Sequence, residues 1–226
     1  MIAVAQARAS DRARFIRRTY THLAGAVGAF VLVEYALITS GFAQGMLQAI
    51  SGSRFTWLLI LGGFALLGWM ARTFTANSSV EVQYMGLGLY VVAEAVIFSP
   101  MILLASLIGA NVLPTAALLT GMMFIGLTAV VATTQKDFSF LSSILTIGGF
   151  IALGLIIASL IFGFNLGLIF AFFMVVFASG AILYDTSNIM HHYAVDQHVA
   201  ASLQLFASLA LLFWYILRIV MELSRD

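Results

Sequence analysis

Seven stretches of this chain, roughly 19–40, 55–72, 82–106, 112–133, 139–162, 166–185 and 199–221, carry almost no charge. Each is close to the roughly 20 residues that a helix needs to cross a hydrocarbon core. The pattern predicts an all-α integral membrane protein with seven transmembrane helices. Composition agrees: hydrophobic residues make up 62% of the chain and charged residues 8%, against roughly 45–50% and about 25% in a soluble domain. Seven crossings and short loops use up the 226 residues, so no soluble domain fits beside them. With no cysteine, disulfides and thiolate metal sites are excluded. A net charge of +1 carries no information about partners, and nothing points to nucleic acid.

Met1 to Arg18 is polar, with Arg8, Arg12, Arg14, Arg17 and Arg18 against Asp11. It reads as a cytoplasmic tail, 1–18, ahead of a transmembrane domain, 19–226, with its last arginines snorkelling to the membrane surface. Gly41-Phe42-Ala43 has the small residues of a signal-peptidase site, but the apolar run before it is longer than a signal core and contains Glu34, so the first helix is expected to stay uncleaved. With that tail inside, seven basic residues (Arg8, Arg12, Arg14, Arg17, Arg18, Arg72, Lys136) fall on the cytoplasmic side and three (Arg54, Arg218, Arg225) outside. The excess predicts a cytoplasmic amino terminus and a carboxyl terminus on the far side. The pairs Gly62-Gly63, Gly86-x-Gly88 and Gly148-Gly149 suit close helix approach. Pro114 sits harmlessly in a first turn, whereas Pro100 should kink its span.

Chemistry is confined to few residues. Glu34, Glu94, Asp185 and Arg218 are the ionisable residues within or at the edge of spans. A charge at a helix centre costs roughly 2.5–3.5 kcal/mol on insertion scales, so Glu94, about mid-span, should face the bundle interior, protonated or paired. Asp185 lies in Ser179–Tyr193, where an apolar run gives way to Asp-Thr-Ser-Asn and two histidines. It is either a functional carboxylate at the hydrocarbon edge or a helix stop whose polar neighbours cap free backbone groups. His191, His192 and His198 are expected in a loop with Asp196, at a spacing that fits no zinc pattern. An aspartyl protease needs two carboxylates sharing a proton, and there is no Gly-x-Gly-Asp; serine chemistry lacks its Gly-x-Ser-x-Gly elbow. The expectation is a protein that is not an enzyme and holds no metal.

Leu183-Tyr184-Asp185-Thr186 followed by Ile189, with seven-span spacing and an early Arg17-Arg18-Thr19-Tyr20, resembles the Bax inhibitor family of membrane proteins over nearly the whole chain. Asp185–Ile189 with a following His, the turn Thr133–Leu141 and the closing Ser224-Arg225-Asp226 look like its enterobacterial branch, which modulates the ATP-dependent membrane protease FtsH. The resemblance implies a bundle whose central seventh helix is surrounded by two three-helix layers. It also implies, for some bacterial members, a pH-sensitive calcium leak governed by two aspartates. Asp185 matches the first; Ser208 stands where the second would be, and Leu211 where an asparagine is common. Glu94 and Arg72 match a glutamate of helix three and a basic residue after helix two. Asp185, Glu94, Ser208 and Arg72 are thus the pH-sensing or ion-pathway candidates, and Ca2+ enters only as a permeant ion. The implied function is a non-enzymatic protein of a bacterial inner membrane that binds FtsH and its regulators, with Met1–Arg18 as the end such an ATPase would grip. A cation leak is the alternative.

Overall fold

The computed structural model describes residues 3–52, 54–75 and 79–225, and only the backbone for 52, 54–59, 61, 64, 65 and 75. Met1, Asp226 and the Arg54 side chain lie outside that description. Among the described residues eight α-helices follow one another: α1 (Ala9–Thr39), α2 (Phe42–Gly52), α3 (Arg54–Thr75), α4 (Val80–Ile108), α5 (Val112–Thr134), α6 (Leu141–Phe162), α7 (Gly167–His191) and α8 (His198–Leu223). Among the described residues six of these, all but α2 and α3, are long and apolar enough to cross a membrane. The 22-residue α3 occupies the place of the second expected span, and α2 is a short helix that the apolar runs did not announce.

Helix α8 is the hub: it packs against α1, α3, α4, α5 and α7. Its sequence permits this because small or apolar residues recur on every side, with Ala201, Ser202, Leu205, Ser208 and Leu212 all buried. Phe30, Phe98, Tyr90 and Phe206 interlock edge to face where α1, α4 and α8 meet. Outward-facing side chains on α5 and α6 such as Leu118, Met122, Ile125, Ile147 and Phe150 are large, apolar and exposed. A surface of that kind is compatible with lipid as solvent and incompatible with water.

The predicted kink position in α4 has its own repair. Proline removes the N–H that would bond the carbonyl four residues back; the Ser99 hydroxyl donates to that carbonyl, Val96 O, at 3.0 Å, and the helix runs on through Pro100 to Ile108.

Two expectations change. The segment before Arg18 is ordered: Val4–Gln6 form a 3-10 turn, α1 begins at Ala9, and Val4 and Phe15 are buried. Val4 N–H donates to Tyr193 O at 2.9 Å beside an antiparallel bridge between Ala3 and Ala194, while Arg12 donates to the carbonyls of Val4 and Ala5. An apolar valine with a nearby strand partner outweighs the polarity of its surroundings. Secondly, α7 does not stop at Asp185 but continues to His191, so the carboxylate lies inside a helix, and His198 opens α8 instead of lying in a loop. The helix-stop reading fails because Asp185, Thr186 and Ser187 are buried against neighbouring helices that satisfy or cover them.

Segment 3–4 meets the α7–α8 junction, and His22, Tyr84 and His198 meet at the same level. With 26 residues α8 is about 39 Å long. Residue 4 and Leu223 therefore lie at opposite ends of the bundle.

Candidate functional site

Asp185 is 2% exposed and faces α8. Ser208 Oγ donates to its Oδ2, and Gln204 Nε2 donates to its Oδ1 at 3.2 Å. Gln204 and Ser208 are four residues apart, so they lie one above the other on one face of α8 and grip the two oxygens of one carboxylate. Ser208 is thus placed against Asp185, and Gln204 is a partner that the sequence reading missed. The i, i+4 spacing from Ser208 was the available signal.

Glu94, 6% exposed, projects from the middle of α4. Tyr90, one turn earlier on the same face, hydrogen-bonds to the Glu94 carboxyl and to the Arg72 guanidinium from the last turn of α3. Arg72 also lies within electrostatic reach of Asp185. Tyr90 is the second residue that sequence reasoning passed over. The four candidates are brought together: Arg72, Glu94, Asp185 and Ser208 line one crevice of about 1150 Å³, bounded by α4, α6, α7 and α8. Its opposite end carries Arg218 with Asn165 and Ser159, and apolar side chains including Leu153, Ile156 and Trp214 line the stretch between. Ten residues of helix separate Ser208 from Arg218, about 15 Å.

Glu34 is not part of this site. It is 4% exposed on the buried face of α1, with neither carboxylate oxygen hydrogen-bonded among the described residues. Buried groups of this sort are costly unless neutralised or hydrated.

A second polar cluster closes the end of α7. Ser187 Oγ accepts from the Phe138 N–H at 2.9 Å, which ties the α5–α6 loop to α7, and His191 Nδ1 lies 2.8 Å from Ser187 O. His192 Nε2 stands 3.3 Å from Asp137 Oδ2, and Asp137 Oδ1 accepts from the Ser139 N–H at 2.8 Å. The Ser139 amide, with help from His192, holds the Asp137 carboxyl below its usual range. Burial pushes the phenol of Tyr193, whose backbone carbonyl accepts from the Val4 N–H, up to about 12. The histidines are therefore latch residues, and among the described residues no group of three His, Asp or Glu is placed to hold a metal ion.

Chemically, a carboxylate gripped by two neutral donors can keep or release a proton, and a Glu–Tyr–Arg chain beside it can spread the charge. One carboxylate opposite a serine lacks the mutual repulsion that splits the titration of a close pair. The match to known proteins decides the family: residues 12–225 correspond to the family described as "Inhibitor of apoptosis-promoting Bax1". The chain belongs to the Bax inhibitor family. It is 29% identical to Bax inhibitor 1 of Schizosaccharomyces pombe over 236 aligned positions, which cover 99% of this chain and 82% of that protein. An uncharacterised protein of Pseudomonas aeruginosa is 40% identical over 114 residues, 49% of this chain and 50% of the relative. The modulator of FtsH protease YccA of Escherichia coli is 34% identical over 108 residues, 47% of this chain and 49% of YccA. The chain thus aligns with about half the length of these two bacterial relatives.

Proposed function

We propose that this Bax inhibitor family protein resides in a bacterial inner membrane, binds an FtsH-type membrane protease together with its regulators, and restrains the breakdown of membrane proteins without being an enzyme itself. The observation that carries this reading is the similarity to YccA, named as a modulator of FtsH protease, within a family match that covers residues 12–225. Helix α3 serves as the remaining span, giving seven crossings with α8 at the centre of two three-helix layers. The opposite placement of residue 4 and Leu223 supports an odd number of crossings, and the arginines before Arg18 favour a cytoplasmic start.

The test is affinity purification of the full chain from gently solubilised native membranes, with partners identified by mass spectrometry. Recovery of an FtsH-type protease at near-stoichiometric yield is expected; intact protein that brings down no such protease contradicts the reading. A calcium leak is the less favoured use of the crevice. Besides the missing second aspartate, two guanidinium groups, Arg72 and Arg218, line the same space as Asp185 and Glu94 and oppose entry of a divalent cation. Calcium flux in liposomes that vanished in Asp185→Asn would restore it.

A further inference from the structure

The crevice has a feature that neither protease binding nor proton exchange at Asp185 uses. Arg218 lies five residues before the end of α8, inside a helix fit to span the membrane, and lines the crevice. Among the described residues it forms no ion pair and donates no hydrogen bond; the salt bridge between His192 and Asp137 lies at the other end of α8. Five guanidinium donors with no hydrogen-bond acceptor among the described residues, and only the Tyr215 phenol within electrostatic reach, call for an anion or for water. The nearby Glu222, one turn on, is exposed and forms no ion pair with it.

The wall next to Arg218 argues for an anion that brings its own hydrocarbon. From Arg218 the lining turns apolar, through Trp214 and Leu211 on α8 and Ile156 and Leu153 on α6, before the polar cluster about 15 Å further on. Among the described residues α6 buries Ala152 alone, which packs with Tyr215 and Ile219 of α8, and most of the helix is left uncovered by its neighbours α7 and α3. The volume, about 1150 Å³, is at or above the upper end of the range for drug-sized ligands. A cation at one mouth and an apolar trough leading inward fit an amphiphile with a negatively charged head.

We propose that the crevice holds one anionic phospholipid, with its phosphate at Arg218 and an acyl chain along the trough between α6 and α8. The lipid packs along the crevice face of α6 and supplies the acceptors that Arg218 lacks among the described residues. This site stands independently of the protease reading.

The test uses the full chain in nanodiscs of equal phosphatidylglycerol and phosphatidylcholine, followed by native mass spectrometry of the lipid retained on the ejected protein. Both lipids carry a phosphate and differ in net charge. The choline cation beside the phosphate of phosphatidylcholine opposes the Arg218 guanidinium, so wild type should retain one phosphatidylglycerol with a preference of about tenfold or more. Arg218→Gln should abolish the preference and Arg218→Lys should keep most of it. Leu153→Trp fills the trough from a half-exposed position, and it should lower retention of both lipids. Equal retention of the two lipids by wild type, an unchanged preference in Arg218→Gln, or undiminished retention in Leu153→Trp would each overturn the proposal. The last would place the lipid on the outer surface of the bundle.

Discussion

Asp185, Ser208 and Gln204 form a unit in which each member depends on the others being present. Replacing Asp185 by Leu removes the acceptor for two donors, one on a buried serine, and leaving such groups unpaired costs about 1–3 kcal/mol each. Asp185→Leu should therefore destabilise the bundle by about 2–4 kcal/mol. Asp185→Asn retains one acceptor oxygen for Ser208 and should cost about half as much. Thermal unfolding in mild detergent measures both, and equal losses would deny the hydrogen-bonded account. Tyr193 permits a pH test at the same scale. Its phenol is pushed from 10.0 to about 12 in the folded protein. The unfolded chain therefore ionises first: the stability contributed by the buried neutral phenol is complete below pH 10 and is lost as pH rises from 10 toward 12. Tyr193→Phe should remove that alkaline loss, read as hydrogen exchange at the Val4 amide. At this scale the sequence was informative where a charge met an apolar run. Glu34, Glu94, Asp185 and Arg218 stood out because lipid makes charges expensive, and Arg72 only through the family resemblance. Gln204 and Tyr90 did not, since a neutral polar side chain on an amphipathic turn looks the same whether it faces a carboxylate or water. Val4 did not either, because one valine in a polar stretch gives no periodicity.

At the scale of elements, α6 is the most loosely held helix and depends on close approach to α7. A Cβ added at Gly148 would lie 3.1 Å from the Phe177 ring. Gly148→Ala should be tolerated only if the ring shifts, whereas Gly148→Leu should cost about 1–3 kcal/mol as overpacking. Adding Phe177→Ala to the Gly148→Leu variant should recover part of that loss, checked by thermal unfolding of the single and double variants. The α5–α6 loop gives a second element-level test. Asp137 has a depressed proton affinity, so its contribution to holding the loop is present above the usual value of 3.8 and is lost as pH falls through the lowered value. Amide exchange across residues 136–140 should quicken on acidification below pH 4 in wild type, whereas Asp137→Asn should show fast exchange at neutral pH already. Each of the seven apolar runs became a helix, whereas the short α2 was not announced and α1 begins ten residues before its run. Helix ends were harder to see: polar Asp185–Asn188 looked like an exit from the membrane, yet these residues turn inward toward α8 and the α5–α6 loop.

At the scale of the whole molecule, one helix surrounded by five others brings Asp185 against α8, while α6 leaves one side of the bundle open. Family membership was legible from Leu183–Thr186 and Ile189, because a motif at a membrane edge is specific in a way that hydropathy is not. The packing of residues 3–8 alters what the amino-terminal segment can do. A docked segment is a poor handle for an unfolding ATPase, and removing residues 2–12 deletes the buried Val4 as well as the arginines. Charge and packing are separated by comparing Val4→Asp with a variant in which Arg14, Arg17 and Arg18 become Gln: loss of Val4 burial should cost about 1.5–3 kcal/mol of stability, and the arginine variant should leave stability within about 0.5 kcal/mol. The proposed role is tested most directly by reconstituting the full chain with an FtsH-type protease and a membrane-embedded substrate in liposomes and following substrate decay. The account predicts a rate that falls as this protein is added and saturates near an equimolar ratio to the protease; a rate unchanged at excess protein would contradict it.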